Sequence, residues 1–319
     1  MLDPEAERLL DKIAERGVRP YHELGIEASR AQIATLPEPG HDAAVASVED
    51  RVIDGPSGPL TIRIYQPESR ACPALVLYLH GGGWVMGSLD SHDKSCRRLA
   101  AGAGCTVVAV DYRLAPEHPF PAAFEDGQAA LTWATAHGES LGASSAAIVV
   151  AGDSAGGNIA AALALNARER GPALALQLLI YPALEIGTDG ESMARNAHGN
   201  GLDRESMQWF YNHYCPPEQR SDPRASPLLA PDLTGAAPAH IIVAGHDPLY
   251  DDGVAYARRL AEAGVRTTLS IYPGQIHGFY AMTRFLAGGR EAQGEVIDAI
   301  SRATRPDHRW AGDQFGPER

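Results

Sequence analysis

Two kinds of apolar pattern alternate along this chain: short continuous runs, and longer segments in which apolar residues recur periodically. Short runs that are apolar at nearly every position, such as residues 74–80 and 106–110, predict strands buried on both faces. Segments in which apolar residues recur every three or four positions, such as residues 121–136 and 156–169, predict helices. Strands that alternate with helices need crossover connections, so the pattern predicts a mostly parallel sheet with helices on both faces.

The same alternation continues to the carboxyl end, and the first elements differ from it. Further strands are predicted at residues 147–150, 174–181, 241–244 and 267–271, and further helices near residues 250–263 and after residue 290. Two early runs, 44–52 and 60–65, flank a Gly-Pro-Ser-Gly turn with no helix between them, which predicts an antiparallel hairpin at the sheet edge. An amphipathic helix is predicted over residues 3–16, before Gly17.

Two segments do not fit the alternation. Residues 18–42 contain several Pro and Gly and one short helical patch, and they predict a connector or part of a lid. Roughly sixty residues separate the strand ending near Tyr181 from the one beginning near His240, too many for a structureless loop in a compact domain. We therefore expect a helical insertion. Its aromatic residues form either a small core of their own or, with the N-terminal helix, a cap over a pocket.

Composition narrows the function classes. The 319 residues carry a formal net charge of −13, which disfavours a nucleic acid or an anionic membrane surface as the main partner. No run of about 18 apolar residues occurs, so no spanning helix is expected. The four cysteines lack CxxC or metal-ligand spacing and are interpreted as small buried side chains. The charged N-terminal sequence lacks the features of a signal peptide, so we expect a cytoplasmic protein.

One tight turn carries the first candidate for chemistry. Gly152-x-Ser154-x-Gly156 lies between a predicted buried strand and a helix, which is the setting of a nucleophile elbow. Glycine fits there because a side chain would collide with the neighbouring strand or helix. The following helix directs its amides and its dipole toward developing negative charge. By itself the pentapeptide is also compatible with an ordinary turn.

A serine hydroxyl needs a base to become a nucleophile, and the base needs an orienting group. His277 follows the last predicted strand, and Asp247 follows the strand before it. A lone histidine of this kind is usually a surface or hydrogen-bonded loop residue. The order Ser154, Asp247, His277 is nevertheless the order found in α/β-hydrolases, and each residue follows a strand end. The three residues therefore predict a catalytic triad.

A glycine-rich turn supplies candidate oxyanion donors. Residues 80–84, His-Gly-Gly-Gly-Trp, directly follow the apolar run at 74–80, and three glycines leave backbone amides open to a pocket, together with the amide of Ala155. We expect His80 to hold this loop by hydrogen bonding rather than to transfer protons. A phosphate-binding role is disfavoured because no Lys-Ser/Thr follows the glycines.

Five motifs between about residues 60 and 280 together resemble those of a known family. They are His80-Gly-Gly-Gly-Trp84, Asp111-Tyr-Arg-Leu-Ala-Pro-Glu117, Gly152-Asp-Ser-Ala-Gly-Gly157, Asp247-Pro-Leu249 and His277-Gly-Phe279. On these motifs the chain is similar to the GDSAGG subgroup of the bacterial hormone-sensitive-lipase-like carboxylesterases, within the α/β-hydrolase superfamily. The resemblance implies the α/β-hydrolase fold: an eight-stranded, mostly parallel sheet flanked by helices, with a helical cap.

The resemblance also implies roles for individual residues. Ser154 would be the nucleophile, His277 the base and acid, and Asp247 the group that orients His277. The oxyanion donors would be the amides of Gly82, Gly83 and Ala155. Residues 111–117 would brace the catalytic loops. His246 departs from the family, which more often has an aromatic or small residue there, so Asp251 and Asp252 stay open as alternatives for the acid.

These patterns combine into one interpretation. Residues 1–45 and 186–225 are expected to form cap segments, and residues 46–185 and 226–319 the catalytic core. The substrate pocket is predicted to contain Trp84, Asp153, Met207, Phe210 and Tyr211. We expect a serine carboxylesterase that hydrolyses short-chain acyl esters without a cofactor or metal, with a small ester as its partner, no nucleic acid or membrane partner, and a homodimer left open. Amides, lactones or a specialised ester are alternative substrates, and a non-catalytic binding module is the alternative of another class.

Overall fold

Eight strands form a single sheet in the computed structural model, which describes residues 1–34 and 43–304. In chain order they are β1 (Ser47–Gly55), β2 (Gly58–Gln66), β3 (Leu75–Leu79), β4 (Thr106–Val110), β5 (Ile148–Asp153), β6 (Leu176–Ile180), β7 (Ala239–His246) and β8 (Thr267–Ile276). Their order across the sheet is β1-β2-β4-β3-β5-β6-β7-β8. β2 is antiparallel to β1 and β4, and the other pairs are parallel. The predicted sheet and its edge hairpin are confirmed.

Helices cover both faces of this sheet. The α-helices of the described residues are α1 (Pro4–Glu15), α2 (Ile26–Ala34), α3 (Asp93–Ala103), α4 (Ala122–His137), α5 (Ala155–Arg170), α6 (Glu191–Arg195), α7 (Arg204–Tyr214), α8 (Tyr250–Glu262) and α9 (Ala287–Ala303). The sequence prediction omits α3. Its signals are an apolar face that includes Cys96 and Leu99, and Gly104, which ends the helix at φ 62°.

The central strands are apolar at nearly every position because both of their faces are covered. In β4, Val108 and Val110 belong to the core on one face, whereas Val107 and Ala109 belong to the core on the other. The first core includes residues of α4, α5 and α8, and the second includes residues of α3 and α9. Successive side chains of a strand point to opposite faces, so a strand between two helical layers needs no polar positions. The sheet is therefore a rigid support for the loops at its edge.

The segments predicted to form a cap contact one another. Tyr21, after α1, lies 5.6 Å from Phe210 of α7, measured between ring centroids. Near the start of α1, the Asp3 amide donates to the carbonyl oxygen of Gly274 in β8 (2.9 Å). Residues 35–42 and 305–319, which fall in the predicted first cap segment and second core part, lie outside the described residues. The division of the chain into cap and core stays a prediction.

All four cysteines are free and buried, in agreement with the sequence interpretation. Within the described ranges, no three His, Cys, Asp or Glu side chains are grouped as metal ligands would be. No helix among the described residues has the length and apolar character needed to cross a membrane.

Candidate active site

Ser154 lies in the turn between β5 and α5, in a backbone conformation that few non-glycine residues adopt (φ 54°, ψ −118°). A Cβ atom added to Gly152 would overlap the carbonyl group of Gly156, and one added to Gly156 would overlap the carbonyl oxygen of Leu79. The Ser154 amide donates to the carbonyl oxygen of Ile180 (2.8 Å). Such backbone strain costs about 1 to 3 kcal/mol and requires support from its surroundings. The turn has the sterics predicted for an elbow.

The structure brings the three predicted triad residues into one hydrogen-bonded chain. Nε2 of His277 lies 3.0 Å from Oγ of Ser154, and Nδ1 of His277 lies 2.7 Å from Oδ2 of Asp247. Asp247 is fully buried, and its Oδ1 accepts a hydrogen bond from the Leu249 amide (2.8 Å). The three residues follow the carboxyl ends of the parallel strands β5, β7 and β8, so they lie at the same edge of the sheet. Open α/β sheets bind their ligands at this edge.

Neither alternative acid reaches His277 by a hydrogen bond. The Oδ2 of Asp251 accepts from the amide of Ser192 (2.6 Å), at the start of α6. The Oδ2 of Asp252 accepts from the amides of Leu184 (2.7 Å) and Glu185 (3.1 Å). Burial raises the pKa of Asp252 to about 7, although these two hydrogen bonds oppose the shift. Both side chains thus bind backbone amides in or next to the predicted cap insertion.

The backbone amides of Gly82, Gly83 and Ala155 lie near the elbow, and none of them has an acceptor in the described part of the chain. The neighbouring Gly81 amide differs, because it donates to Oδ1 of Asp153 (3.1 Å). Gly82 and Gly83 have φ values of 122° and 60°, and Ala155 is the first residue of α5. All three amides that the family resemblance assigns to an oxyanion are thus free to donate.

Asp153 was predicted in the substrate pocket, but its carboxylate forms hydrogen bonds with the glycine loop and with residues beside it. Besides the Gly81 amide, it accepts from the Tyr78 hydroxyl (2.8 Å) and contacts Nε2 of His92 (3.3 Å). Burial opposes its ionisation, yet the charge of His92 and the hydrogen bonds of His92 and Tyr78 prevail and hold the pKa of Asp153 below its ordinary value. These contacts favour a bracing role over a pocket-lining role.

His80 also braces the loop. Its Nδ1 donates to the carbonyl oxygen of Gly81 (2.8 Å), and its ring stacks on Tyr112 at 4.2 Å between centroids. The Tyr112 hydroxyl donates in turn to the carbonyl oxygen of His80 (2.7 Å). Burial, helped by the nearby charge of His92, lowers the pKa of His80 to about 3. A ring that stays neutral suits the predicted structural role.

The motif at residues 111–117 makes contacts of the same structural kind. Arg113 pairs with the buried Asp126 (2.8 Å), and Glu117 pairs with Arg30 of α2 (2.7 Å). Arg30 also donates to the carbonyl oxygen of Val85, beside the glycine loop (2.8 Å). The motif therefore connects the N-terminal segment with the loop that carries the free amides.

The remaining pocket candidates, Trp84, Met207, Phe210 and Tyr211, are all buried. A Cβ atom added to Gly83 would overlap the ring of Phe210, so this ring packs directly on the glycine. Trp84 stacks on Tyr214 at 4.4 Å between ring centroids, and Tyr211 lies 6.2 Å from Trp84. Helix α7 therefore borders the predicted oxyanion amides through Phe210.

Tyr181 is a neighbour of the triad that the sequence analysis did not identify. Its ring centroid lies 4.6 Å from that of His277, and the residue is buried with φ 36°. Its amide donates to the carbonyl oxygen of Ile242 in β7 (2.6 Å). The available signal was its position directly after β6, at the edge where the other site residues lie.

Known proteins resemble this chain over most of its length. A family described as having the α/β hydrolase fold matches residues 76–281. Esterase LipI of Mycobacterium tuberculosis is 42% identical over 94% of each chain, and ethyl acetate hydrolase of Pseudomonas putida is 41% identical over 76% of this chain and 78% of its own. A solved ester hydrolase from the metagenome of Lake Arreo superimposes with a TM-score of 0.89 at 42% identity, covering 94% of this chain and 98% of its own. This chain belongs to the hormone-sensitive-lipase-like carboxylesterases of the α/β-hydrolase superfamily.

Proposed function

We propose that this protein hydrolyses short-chain acyl esters through an acyl-enzyme formed on Ser154. The observation that carries the proposal is the continuous hydrogen-bonded chain from Asp247 through His277 to Ser154, with distances of 2.7 and 3.0 Å. Relatives of about the same length support the ester as substrate, since two of them are named an esterase and an ethyl acetate hydrolase. The latter name supports a short acyl chain.

Acylation uses the triad in its proposed roles. Oγ of Ser154 attacks the ester carbonyl carbon while Nε2 of His277 accepts the hydroxyl proton. Asp247 accepts the hydrogen bond from Nδ1, which fixes the tautomer with a bare Nε2 and stabilises the imidazolium. Collapse of the tetrahedral intermediate breaks the bond to the alcohol oxygen, which leaves with the proton from His277. The acyl group remains on Ser154.

The oxyanion of the tetrahedral intermediate is proposed to bind the free amides of Gly82, Gly83 and Ala155. Removing one such donor typically costs about 3 to 4 kcal/mol of transition-state stabilisation. The Ala155 amide also stands at the N-terminus of α5, where the helix dipole favours negative charge. The preformed position of these amides means that little reorganisation is needed during the reaction.

Deacylation repeats the sequence with water in place of the alcohol. Nε2 of His277 accepts a proton from the water, whose oxygen attacks the acyl carbon, and then returns a proton to Oγ of Ser154 as the carboxylic acid leaves. Phe210, packed on Gly83, supports a small site for the acyl chain. The same machinery would serve an amide, a lactone or a specialised ester, and these stay open. A cytoplasmic location and a homodimer also remain predictions.

A Ser154→Ala variant tests the proposal. We expect its hydrolysis of p-nitrophenyl acetate and butyrate to fall at least about 10⁴-fold, with an unchanged circular dichroism spectrum, because the oxyanion amides alone give little turnover. A fluorophosphonate probe should label the wild-type protein once and the variant not at all. The matched control is Ser140→Ala, an exposed serine that should keep full activity and labelling. Wild-type rates in Ser154→Ala would refute the assignment.

A substrate panel separates the open alternatives. Matched acetyl esters, acetanilides and lactones, assayed with one preparation, should give the highest kcat/KM with the esters. A higher kcat/KM with the anilide or the lactone would assign the protein to that substrate class, and the proposed triad would be unaffected. Failure of the probe to label the wild-type protein, together with no turnover of any substrate, would instead favour a binding module.

A further inference from the structure

The turn that carries Asp247 is held by two side chains from the predicted cap insertion. Nδ2 of Asn196 donates to the carbonyl oxygen of Asp247 (3.1 Å), and Oγ of Ser192 donates to the carbonyl oxygen of Pro248 (2.7 Å). Ser192 lies in α6 and Asn196 directly follows it. Two successive carbonyl groups of the turn therefore point at donors that lie more than fifty positions earlier in the chain.

The connection is reciprocal. Oδ2 of Asp251 accepts a hydrogen bond from the Ser192 amide (2.6 Å), and the Asp251 amide donates to Oγ of Ser192 (3.1 Å). Nδ2 of Asn196 also donates to the carbonyl oxygen of Ser192 (3.1 Å). Ser192 and Asn196 are each 2% exposed, so water cannot readily replace these bonds. Buried hydrogen bonds of this kind are stronger than exposed ones and fix a single arrangement.

The backbone of this turn determines where the Asp247 carboxylate lies. Apart from His277, the carboxylate has one hydrogen-bond partner among the described residues, the amide of Leu249 in the same turn. An aspartate side chain has only two torsions, and Pro248 fixes its own φ. A shift of the turn therefore moves the carboxylate relative to Nδ1 of His277. Displacement by about 1 Å can change the rate of an enzyme by roughly 100-fold.

We propose that Ser192 and Asn196 are positioning residues that hold Asp247 in register with His277, so that the cap insertion contributes to the geometry of the triad. The proposal rests on the role proposed for Asp247 in the esterase reaction. Neither side chain touches the reacting atoms; both act through the backbone of the Asp247–Pro248 turn. Helix α6 thereby supports the position of the proposed acid.

Two variants and a conservative partner test this role. Asn196→Ala and Ser192→Ala each remove one donor, whereas Ser192→Thr keeps the hydroxyl. The matched control is Asn200→Ala, because Asn200 donates to Oδ1 of Asn196 (3.1 Å) but has no hydrogen bond to the turn among the described residues. The pH dependence of kcat and KM for p-nitrophenyl acetate is measured for each, with active sites counted by fluorophosphonate titration so that unfolded protein does not lower kcat.

The two alanine variants should lower kcat about tenfold while KM stays within twofold. Their acid limb should also move to lower pH, because a misplaced Asp247 stabilises the imidazolium less. Ser192→Thr and Asn200→Ala should follow the wild-type profile. An arrangement that merely stabilises α6 predicts a lower melting temperature with the wild-type kcat and acid limb per active site, and that result would overturn the proposal.

The outcome also separates this inference from the esterase assignment. If Asp247→Asn abolishes activity while Asn196→Ala and Ser192→Ala keep normal profiles, only the positioning role fails. If Asp247→Asn itself keeps wild-type turnover, the proposed acid is wrong and the positioning role fails with it.

Discussion

Nε2 of His277 lies 3.0 Å from Oγ of Ser154, although 123 positions separate the two residues in the chain. Their strands are not neighbours either, because β6 and β7 lie between β5 and β8 in the sheet. The contact forms because loops at the carboxyl ends of parallel strands leave the same edge and can reach across it. Because Ser154, Asp247 and His277 follow three different strands, each of them can be substituted separately.

Asp247→Asn should lower kcat about 10⁴-fold with little change in KM. An amide at this position keeps the shape of the side chain but no longer selects the histidine tautomer or stabilises its positive charge. Steady-state kinetics with p-nitrophenyl acetate measure the effect, and Asp298→Asn, a change at an exposed aspartate of α9, should match the wild-type protein. If Asp247→Asn kept more than a tenth of the activity, the assignment of Asp247 as the acid would be wrong.

Gly82→Ala and Gly83→Ala should both lower kcat, by about 100-fold, because each added methyl group displaces an amide that we propose binds the oxyanion. The two variants should respond differently to Phe210→Ala. The methyl group at Gly83 would overlap the Phe210 ring, which truncation removes, whereas the one at Gly82 would overlap the carbonyl group of Met86, which truncation leaves in place. The kcat of the double variants checks this: partial rescue is expected only for Gly83→Ala, and equal rescue of both would contradict the geometry.

Phe210→Ala by itself should shift the acyl-chain preference toward longer chains. Removing a buried ring from beside Gly83 enlarges the site that we propose for the acyl group. The ratio of kcat/KM for the p-nitrophenyl octanoate and acetate esters should rise at least about tenfold, since each buried methylene is worth roughly 0.8 kcal/mol. Phe285→Ala, which truncates an exposed phenylalanine, serves as the control, and a parallel shift there would argue against the pocket.

The effect of Asp252→Asn on the free energy of unfolding should become more favourable as the pH rises. Burial raises the pKa of Asp252 from 3.8 to about 7, so between these values the unfolded chain ionises while the folded protein keeps its proton. Wild-type stability contributed by this group is therefore fully present below pH 3.8 and is lost as the pH rises through 7. Because asparagine does not titrate, the variant minus wild-type difference in unfolding free energy should rise by about 1 to 3 kcal/mol between pH 5 and pH 8.

Urea denaturation at intervals across that range gives the difference directly. Asp298→Asn should show a difference that does not vary with pH. An unchanging difference for Asp252→Asn would mean that Asp252 is already ionised in the folded protein.

Much of this fold was predictable because its determinants are local. Continuous apolar runs reveal strands covered on both faces, and β4 begins and ends at the predicted residues. The glycines of the elbow follow from overlap with adjacent backbone. Helix α3, by contrast, escaped prediction even though Leu99 and its neighbours form an apolar face, because the segment is short and rich in charged residues.

The sequence by itself determined which residues can do chemistry: a serine in a glycine-bounded turn, a histidine and three aspartates after strand ends, and a run of glycines. Their type and order depend only on the local chain. The tertiary structure decided which aspartate meets His277, that Asp153 braces the glycine loop, and that Asn196 and Ser192 hold the turn of Asp247. These contacts depend on where separate strands end in one sheet. A local sequence pattern contains no information on the distance between residues that only folding brings together.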